Sequence, residues 1–84
     1  MYTIEYSKAA TRALIRMPSK SATLIRQKLA ELAEDPFAAC NVKKLTGQPG
    51  YRLRVGDWRV LYILDNGKLI VCVAEIGTRG DIYK

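Results

Sequence analysis

Residues 51–64 read YRLRVGDWRVLYIL. Hydrophobic and polar residues alternate on both sides of Gly56-Asp57, as they do in two half-buried strands joined by a tight turn. The stretch therefore predicts a β-hairpin with one strand over residues 51–55 and another over residues 58–64.

Three arginines fall on one face of this hairpin. Across a two-residue turn Arg54 lies opposite Arg59, and Arg52 projects from the same face because side chains two residues apart on a strand point the same way. On the next strand we expect Ala74 opposite Arg59, so no carboxylate neutralises the cluster. Like charges directly opposite on a sheet are destabilising. The pattern favours a site for phosphate; the alternative is that the side chains spread apart into solvent.

The chain before the hairpin predicts one strand, over residues 2–6, and two helices. Ser7 is a suitable N-cap for the first helix, Pro18 ends it, and Ser19 is a suitable N-cap for the second. Apolar residues recur at helical spacing in both helices: Ala10, Ala13, Leu14 and Met17 in the first, and Ala22, Ile25, Leu29 and Leu32 in the second.

The rest of the chain predicts a loop over residues 37–50, a strand over residues 69–76 after an Asn66-Gly67 turn, and a short last piece at residues 81–83. The order β-α-α-β-β-β is typical of an α+β fold. We expect a single domain over residues 1–84, with two N-terminal helices packed on one face of a small antiparallel sheet.

Composition narrows the function classes. A net charge of +6 and a pI near 9.6 favour nucleic acid, an acidic protein or an anionic membrane surface as a partner. Histidine is absent, which excludes His general bases and His metal ligands. Cys40 and Cys72 cannot form a zinc site by themselves, and Cys72 is expected to be a small buried apolar residue. We predict no metal, no cofactor, no membrane segment and a reducing cytoplasmic location.

The first helix carries a second basic feature. Lys8, Arg12 and Arg16 are spaced four residues apart and therefore lie along one face. Together with Lys43 and Lys44 they are candidates for an RNA-binding track along a nucleic-acid backbone. The alternative is an ordinary solvated helix face.

Two stretches carry a resemblance to a known family: KKLTGQPGYRLRVGDWRVLYIL at residues 43–64 and AEIGTRGDIYK at residues 74–84. They resemble the RelE toxins of bacterial toxin–antitoxin modules, within the wider RelE/ParE superfamily. The resemblance implies a RelE-like fold and a ribosome-dependent endoribonuclease, or mRNA interferase, that cuts messenger RNA in the ribosomal A site. The implied partners are the ribosome with its rRNA, the messenger RNA and a cognate antitoxin protein.

The resemblance also implies roles for five residues. Arg52 and Arg54 match two basic residues of the first hairpin strand, and Arg59 matches the arginine that stabilises charge on the phosphorane. Arg79 matches a basic residue near the leaving 5′-oxygen, and Tyr83 a tyrosine that orients or deprotonates the 2′-hydroxyl or stacks on a base. Arginine is a poor proton acceptor, so the general base is Tyr83, a ribosomal group or a group of the RNA.

Two other functions compete with the nuclease. ParE-like toxins share the fold and inhibit DNA gyrase without nuclease activity. They also keep an arginine near the position of Arg59, so this residue does not distinguish a gyrase inhibitor from a nuclease. The combination of Arg52, Arg54 and Tyr83 favours the nuclease. A non-catalytic RNA-binding module is disfavoured because no aromatic residues interleave with the arginines. In either toxin, we expect an acidic or amphipathic antitoxin helix near the first two helices and the Arg59 face.

Overall fold

The hairpin forms in the predicted register and lies inside a five-stranded sheet. The computed structural model describes residues 1–38 and 41–78. The helices are α1 (Lys8–Arg16) and α2 (Ser19–Glu34). The strands are β1 (Thr3–Tyr6), β2 (Val42–Lys44), β3 (Tyr51–Val55), β4 (Trp58–Asp65) and β5 (Ile70–Thr78), in the sheet order β1-β5-β4-β3-β2. The predicted α+β class with two N-terminal helices is confirmed.

The sheet is mixed. Strands β3, β4 and β5 pair antiparallel as predicted, and β2 also pairs antiparallel with β3. In contrast, β1 runs parallel to β5, with Thr3 opposite Ile70 and Tyr6 opposite Val73. Parallel neighbours need a long crossover connection, and the intervening helices belong to it. Strand β2 lies within the segment predicted to be a loop and forms the edge beside β3.

The two helices begin differently. The Ser7 hydroxyl accepts a hydrogen bond from the Ala10 amide at 3.0 Å, which confirms Ser7 as the N-cap of α1. The prediction that Ser19 caps α2 is wrong: Pro18 is the N-cap, and no side chain bonds to this helix end. Pro18 already has a fixed φ of −56°, and its carbonyl accepts the first helical bond from the Ala22 amide.

Both helices pack on one face of the sheet and form one core with it. The fully buried side chains with the largest volumes are Ile25, Leu29, Leu32, Val60, Tyr62, Val71 and Val73. Cys72 is half-buried and free on β5, and Cys40 lies outside the described residues. Neither α1 nor α2 has the length and apolar character needed to cross a membrane.

The pairing of β4 with β5 differs from the prediction. The connection is four residues long, from Asn66 to Leu69, because Asp65 pairs with Ile70. An irregularity between Leu61 and Tyr62 then leaves one extra residue on β5. Relative to the predicted pairing, the longer turn moves each β4 residue's partner two positions along β5, and the bulge moves the partner of Arg59 one position further. Gly77, rather than Ala74, therefore lies opposite Arg59.

Candidate anion-binding site

The hairpin turn fixes the positions of the arginines. Gly56 adopts a φ of +59°, a left-handed conformation that glycine accommodates without strain, and this closes the tight turn between β3 and β4. Arg54 and Arg59 are consequently direct cross-strand partners, as the sequence predicts. Leu53 and Val55 point into the core, so the arginines between and beside them point away from the helices.

The edge strand β2 adds a fourth cation to the same face. Lys43 lies directly opposite Arg52, which makes a second like-charge pair beside the pair Arg54–Arg59. The four side chains line a pocket of about 300 Å³ together with Asn41 and Val42. We call this the cationic pocket, and it is defined by Lys43, Arg52, Arg54 and Arg59.

Hydrogen bonds place one arginine at the turn. Nη1 of Arg59 donates to the carbonyl oxygen of Trp58 at 3.2 Å and to that of Gly56 at 3.4 Å. At the side of the pocket formed by Asn41, the Arg54 amide donates a hydrogen bond to the Asn41 carbonyl oxygen at 2.9 Å. The contribution of Asn41 was missed in the sequence, because a backbone acceptor leaves no signal in residue type.

The positive charges of Arg54 and Arg59 have no counter-charge among the described residues. Lys28 and Glu31 form an ion pair on α2, away from the pocket, and neither Arg54 nor Arg59 pairs with a carboxylate among the described residues. Opposite Arg59 stands Gly77, which offers no side chain to fill the space. The like-charge pair Arg54–Arg59 favours an anion as the compensating group.

The chemistry that this pocket can perform is electrostatic. Guanidinium groups present planar sets of N–H donors that match phosphate oxygens, and they stay protonated at all physiological pH values. Cations fixed in this way stabilise negative charge that develops on a reacting phosphate. They are poor proton acceptors, so the described part of the pocket supplies binding and charge stabilisation.

The basic residues of α1 are not part of this pocket. Lys8, Arg12 and Arg16 are all exposed, but α1 packs on the helix-bearing face of the sheet, against β5 and β1. The cationic pocket opens on the opposite face, near the β2 edge. The structure therefore does not support a single track that joins α1 to Lys43.

Three further site predictions have different outcomes. Lys44 is exposed on β2 opposite Tyr51, one residue away from the pocket-lining Lys43. Arg79 and Tyr83, like the short piece predicted at residues 81–83, lie outside the described residues. The prediction that Ala74 lies opposite Arg59 is wrong: the four-residue turn and the bulge place Gly77 there.

Two helices on one face of a mixed sheet, with a cationic pocket on the other, are the α+β architecture that the RelE resemblance predicts. The family model for the ParE toxin of type II toxin–antitoxin system, parDE, matches residues 4–83. The chain therefore belongs to this RelE/ParE family of toxins. A comparison with curated protein sequences found no significant match.

Solved structures of RelE toxins share the fold. The intact E. coli RelBE complex matches with a TM-score of 0.80 and 25% identity, over 93% of this chain and 96% of that chain. The archaeal RelE–RelB complex from Pyrococcus horikoshii OT3 matches with a TM-score of 0.79 and 25% identity, over 94% of this chain and 96% of that chain. The Mycobacterium tuberculosis complex RelBE2 matches with a TM-score of 0.81 and 22% identity, over 93% of this chain and 98% of that chain. At this identity the match shows a shared fold alone.

Proposed function

We propose that this type II toxin is a ribosome-dependent endoribonuclease that cleaves messenger RNA in the ribosomal A site. The observation that carries the proposal is the cationic pocket, in which Arg54 and Arg59 face each other without a described counter-charge. A pocket of this kind suits a phosphate whose charge increases during reaction. The A site supplies a messenger strand that is already held in place, which lowers the entropic cost of alignment.

In the proposed reaction the 2′-hydroxyl of one nucleotide attacks the adjacent phosphate. The 2′-oxygen–phosphorus bond forms, the bond from phosphorus to the 5′-oxygen breaks, and the products are a 2′,3′-cyclic phosphate and a 5′-hydroxyl. Arg59 and Arg54 stabilise the phosphorane, and Arg52 binds the strand beside it. By family resemblance, Arg79 assists the leaving 5′-oxygen, and Tyr83 orients or deprotonates the 2′-hydroxyl.

Primer extension on a defined messenger with programmed ribosomes tests this proposal. We expect wild-type protein to cut between A-site nucleotides only when ribosomes are present, and Arg59→Ala to lower the rate by roughly 10²- to 10³-fold, as for loss of one electrostatic stabiliser. Lys68→Ala, on the β4–β5 turn, is the matched control because it removes one exposed cation far from the pocket. Equal rates for wild type and Arg59→Ala would contradict the assignment.

One observation favours a second candidate. The matched family model is described as a ParE toxin, and ParE-like toxins inhibit DNA gyrase. A supercoiling assay with purified gyrase separates the two functions. Intact messenger at all toxin concentrations, together with blocked supercoiling, would replace the nuclease by a gyrase inhibitor.

We further propose that a cognate antitoxin controls the toxin. The E. coli and P. horikoshii relatives are complexes of RelE with RelB antitoxin. We expect acidic or amphipathic antitoxin segments near α1 and α2 and near the Arg59 face, which lie on opposite faces of the sheet. A complex that leaves Arg54 and Arg59 fully open would indicate inhibition by steric exclusion from the ribosome.

A further inference from the structure

A second cleft lies beside the cationic pocket, on the same face of the sheet. The side chains of Arg59, Leu61 and Ile63 follow one another along that face of β4, because side chains two residues apart on a strand point the same way. Arg59 lines the cationic pocket, whereas Leu61 and Ile63 line the next cleft, which has a volume of about 390 Å³. We call it the β4 cleft, and its walls include Leu45, Gln48, Pro49 and Glu75.

A short loop forms one wall of the β4 cleft and is seated directly on the sheet. The Leu45 amide donates a hydrogen bond to the Gly50 carbonyl oxygen at 3.0 Å, which closes the loop. Gly50 has a φ of +114°, and a β-carbon added to it would lie 2.9 Å from the Tyr62 carbonyl oxygen. This close approach requires glycine and sets the position of the wall that carries Gln48 and Pro49.

The β4 cleft differs from the cationic pocket in its charge. Arg52 lies opposite Leu61, and Leu61 lies opposite Glu75, so the backbones of Arg52 and Glu75 are two strand spacings, or about 10 Å, apart. The Glu75 carboxylate repels phosphate, and the aliphatic floor favours an apolar surface over a hydrated ion. A nucleotide has both kinds of group at this separation: a phosphate that suits the cations and a base that suits the cleft.

We propose that the β4 cleft binds the base beside the scissile phosphate and that Glu75 selects bases with an amino group over uracil. This inference rests on the nuclease function proposed above and names a specificity-determining contact of the same site. The base packs on Leu61 and Ile63, and its pairing edge meets the polar rim, as unstacked single-stranded bases do in proteins. A carboxylate accepts a hydrogen bond from the amino group of adenine, cytosine or guanine. It repels the carbonyl oxygens that uracil has instead.

Single-base messenger variants test this selection. The messengers differ only in the base on the 5′ or the 3′ side of the cut, and primer extension on programmed ribosomes gives kcat/KM for each. For one of these positions we expect wild type to prefer amino-bearing bases over uracil by on the order of 10- to 100-fold. Glu75→Gln should lower this ratio at least about fivefold, because a neutral amide is a weaker acceptor and also donates to uracil.

Glu5→Gln is the matched control. It makes the same chemical change at an exposed residue of β1, opposite Cys72 and outside the β4 cleft. We expect it to keep the wild-type ratio, so a general effect of removing one negative charge is excluded. Glu75→Asp, which keeps the carboxylate, should keep the direction of the preference. Both glutamates are exposed, and we expect circular dichroism to show the wild-type Tm for all three variants.

The remaining outcomes also discriminate. A wild type that cuts all messengers equally well, or a Glu75→Gln variant with the wild-type ratio, overturns this inference and leaves the nuclease proposal intact. Equal slowing on every messenger in Glu75→Gln also overturns it, because Glu75 then acts without regard to the base. Weaker antitoxin binding with an unchanged base preference assigns the cleft to the antitoxin instead. A wild type that cuts no messenger on ribosomes overturns both proposals.

Discussion

Tyr62 shows how strongly the core constrains a single polar group. Its side chain is 1% exposed, its hydroxyl has no hydrogen-bond partner among the described residues, and its ring stacks on Tyr51 with centroids 5.5 Å apart. Burial, with a smaller contribution from Tyr51, raises the pKa of Tyr62 to about 12. The folded state therefore favours the neutral phenol more strongly than the unfolded chain does.

Tyr62→Phe tests this balance. Because the folded-state pKa lies above the unfolded value, the neutral phenol's contribution to stability is present below about pH 10 and is lost as the pH rises toward 12. At neutral pH we expect the variant to be as stable as wild type or up to about 1 kcal/mol more stable, since an unpaired buried hydroxyl is removed. Urea unfolding at pH 7 and pH 11 should show the wild type losing more stability than the variant. Identical pH dependence would contradict the assignment.

At the scale of elements, the β3–β4 hairpin combines a well-formed turn with unfavourable cross-strand charges. The pair Arg54–Arg59 is held together by the register that Gly56 imposes and by the burial of Leu53 and Val55. Function and local stability are therefore opposed in this hairpin, because the same side chains that would bind phosphate repel each other without it.

Arg54→Gln should separate these two effects. We expect the free energy of unfolding to rise by a few tenths of a kcal/mol to about 1 kcal/mol at low salt, because one like-charge pair is removed, and the gain to shrink as salt screens the pair. Messenger cleavage should fall in the same variant. Urea denaturation at 0.02 M and 0.5 M salt measures the first effect, and primer extension measures the second. A loss of stability at low salt would indicate that Arg54 is compensated within the folded protein.

The hairpin could be predicted from sequence because its signals are local. Gly56-Asp57 fixes the turn, and the alternation on both sides fixes which side chains share a face. The pairing of β1 with β5 joins the two ends of the chain and has no local signature. Strand β2 is only three residues long, which is too short for a clear alternation of apolar and polar residues. The β5 bulge at Ala74 and Glu75 contains neither glycine nor proline, so residue type does not indicate it. The partner of Arg59 was consequently misassigned.

On the scale of the whole molecule, the sheet divides the protein into two electrostatic surfaces. The helix-bearing face carries the exposed cations Lys8, Arg12 and Arg16 of α1, and the other face carries the cationic pocket. The sequence indicated both sets of cations but joined them into one track, because residue spacing does not reveal which face of a sheet a helix covers. The fold shows that the two sets of cations lie on opposite faces of the sheet.

This separation predicts additivity. Sites that share no partner and lie well apart contribute free energies that add within about 0.3–0.5 kcal/mol. Combining Arg54→Gln with the α1 variant Lys8→Gln/Arg12→Gln should therefore multiply their separate effects on kcat/KM. The measurement is a double-variant cycle of cleavage kinetics on programmed ribosomes. A coupling of more than about 1 kcal/mol would show that both surfaces bind the same RNA segment, since only a shared partner couples residues that the sheet keeps apart.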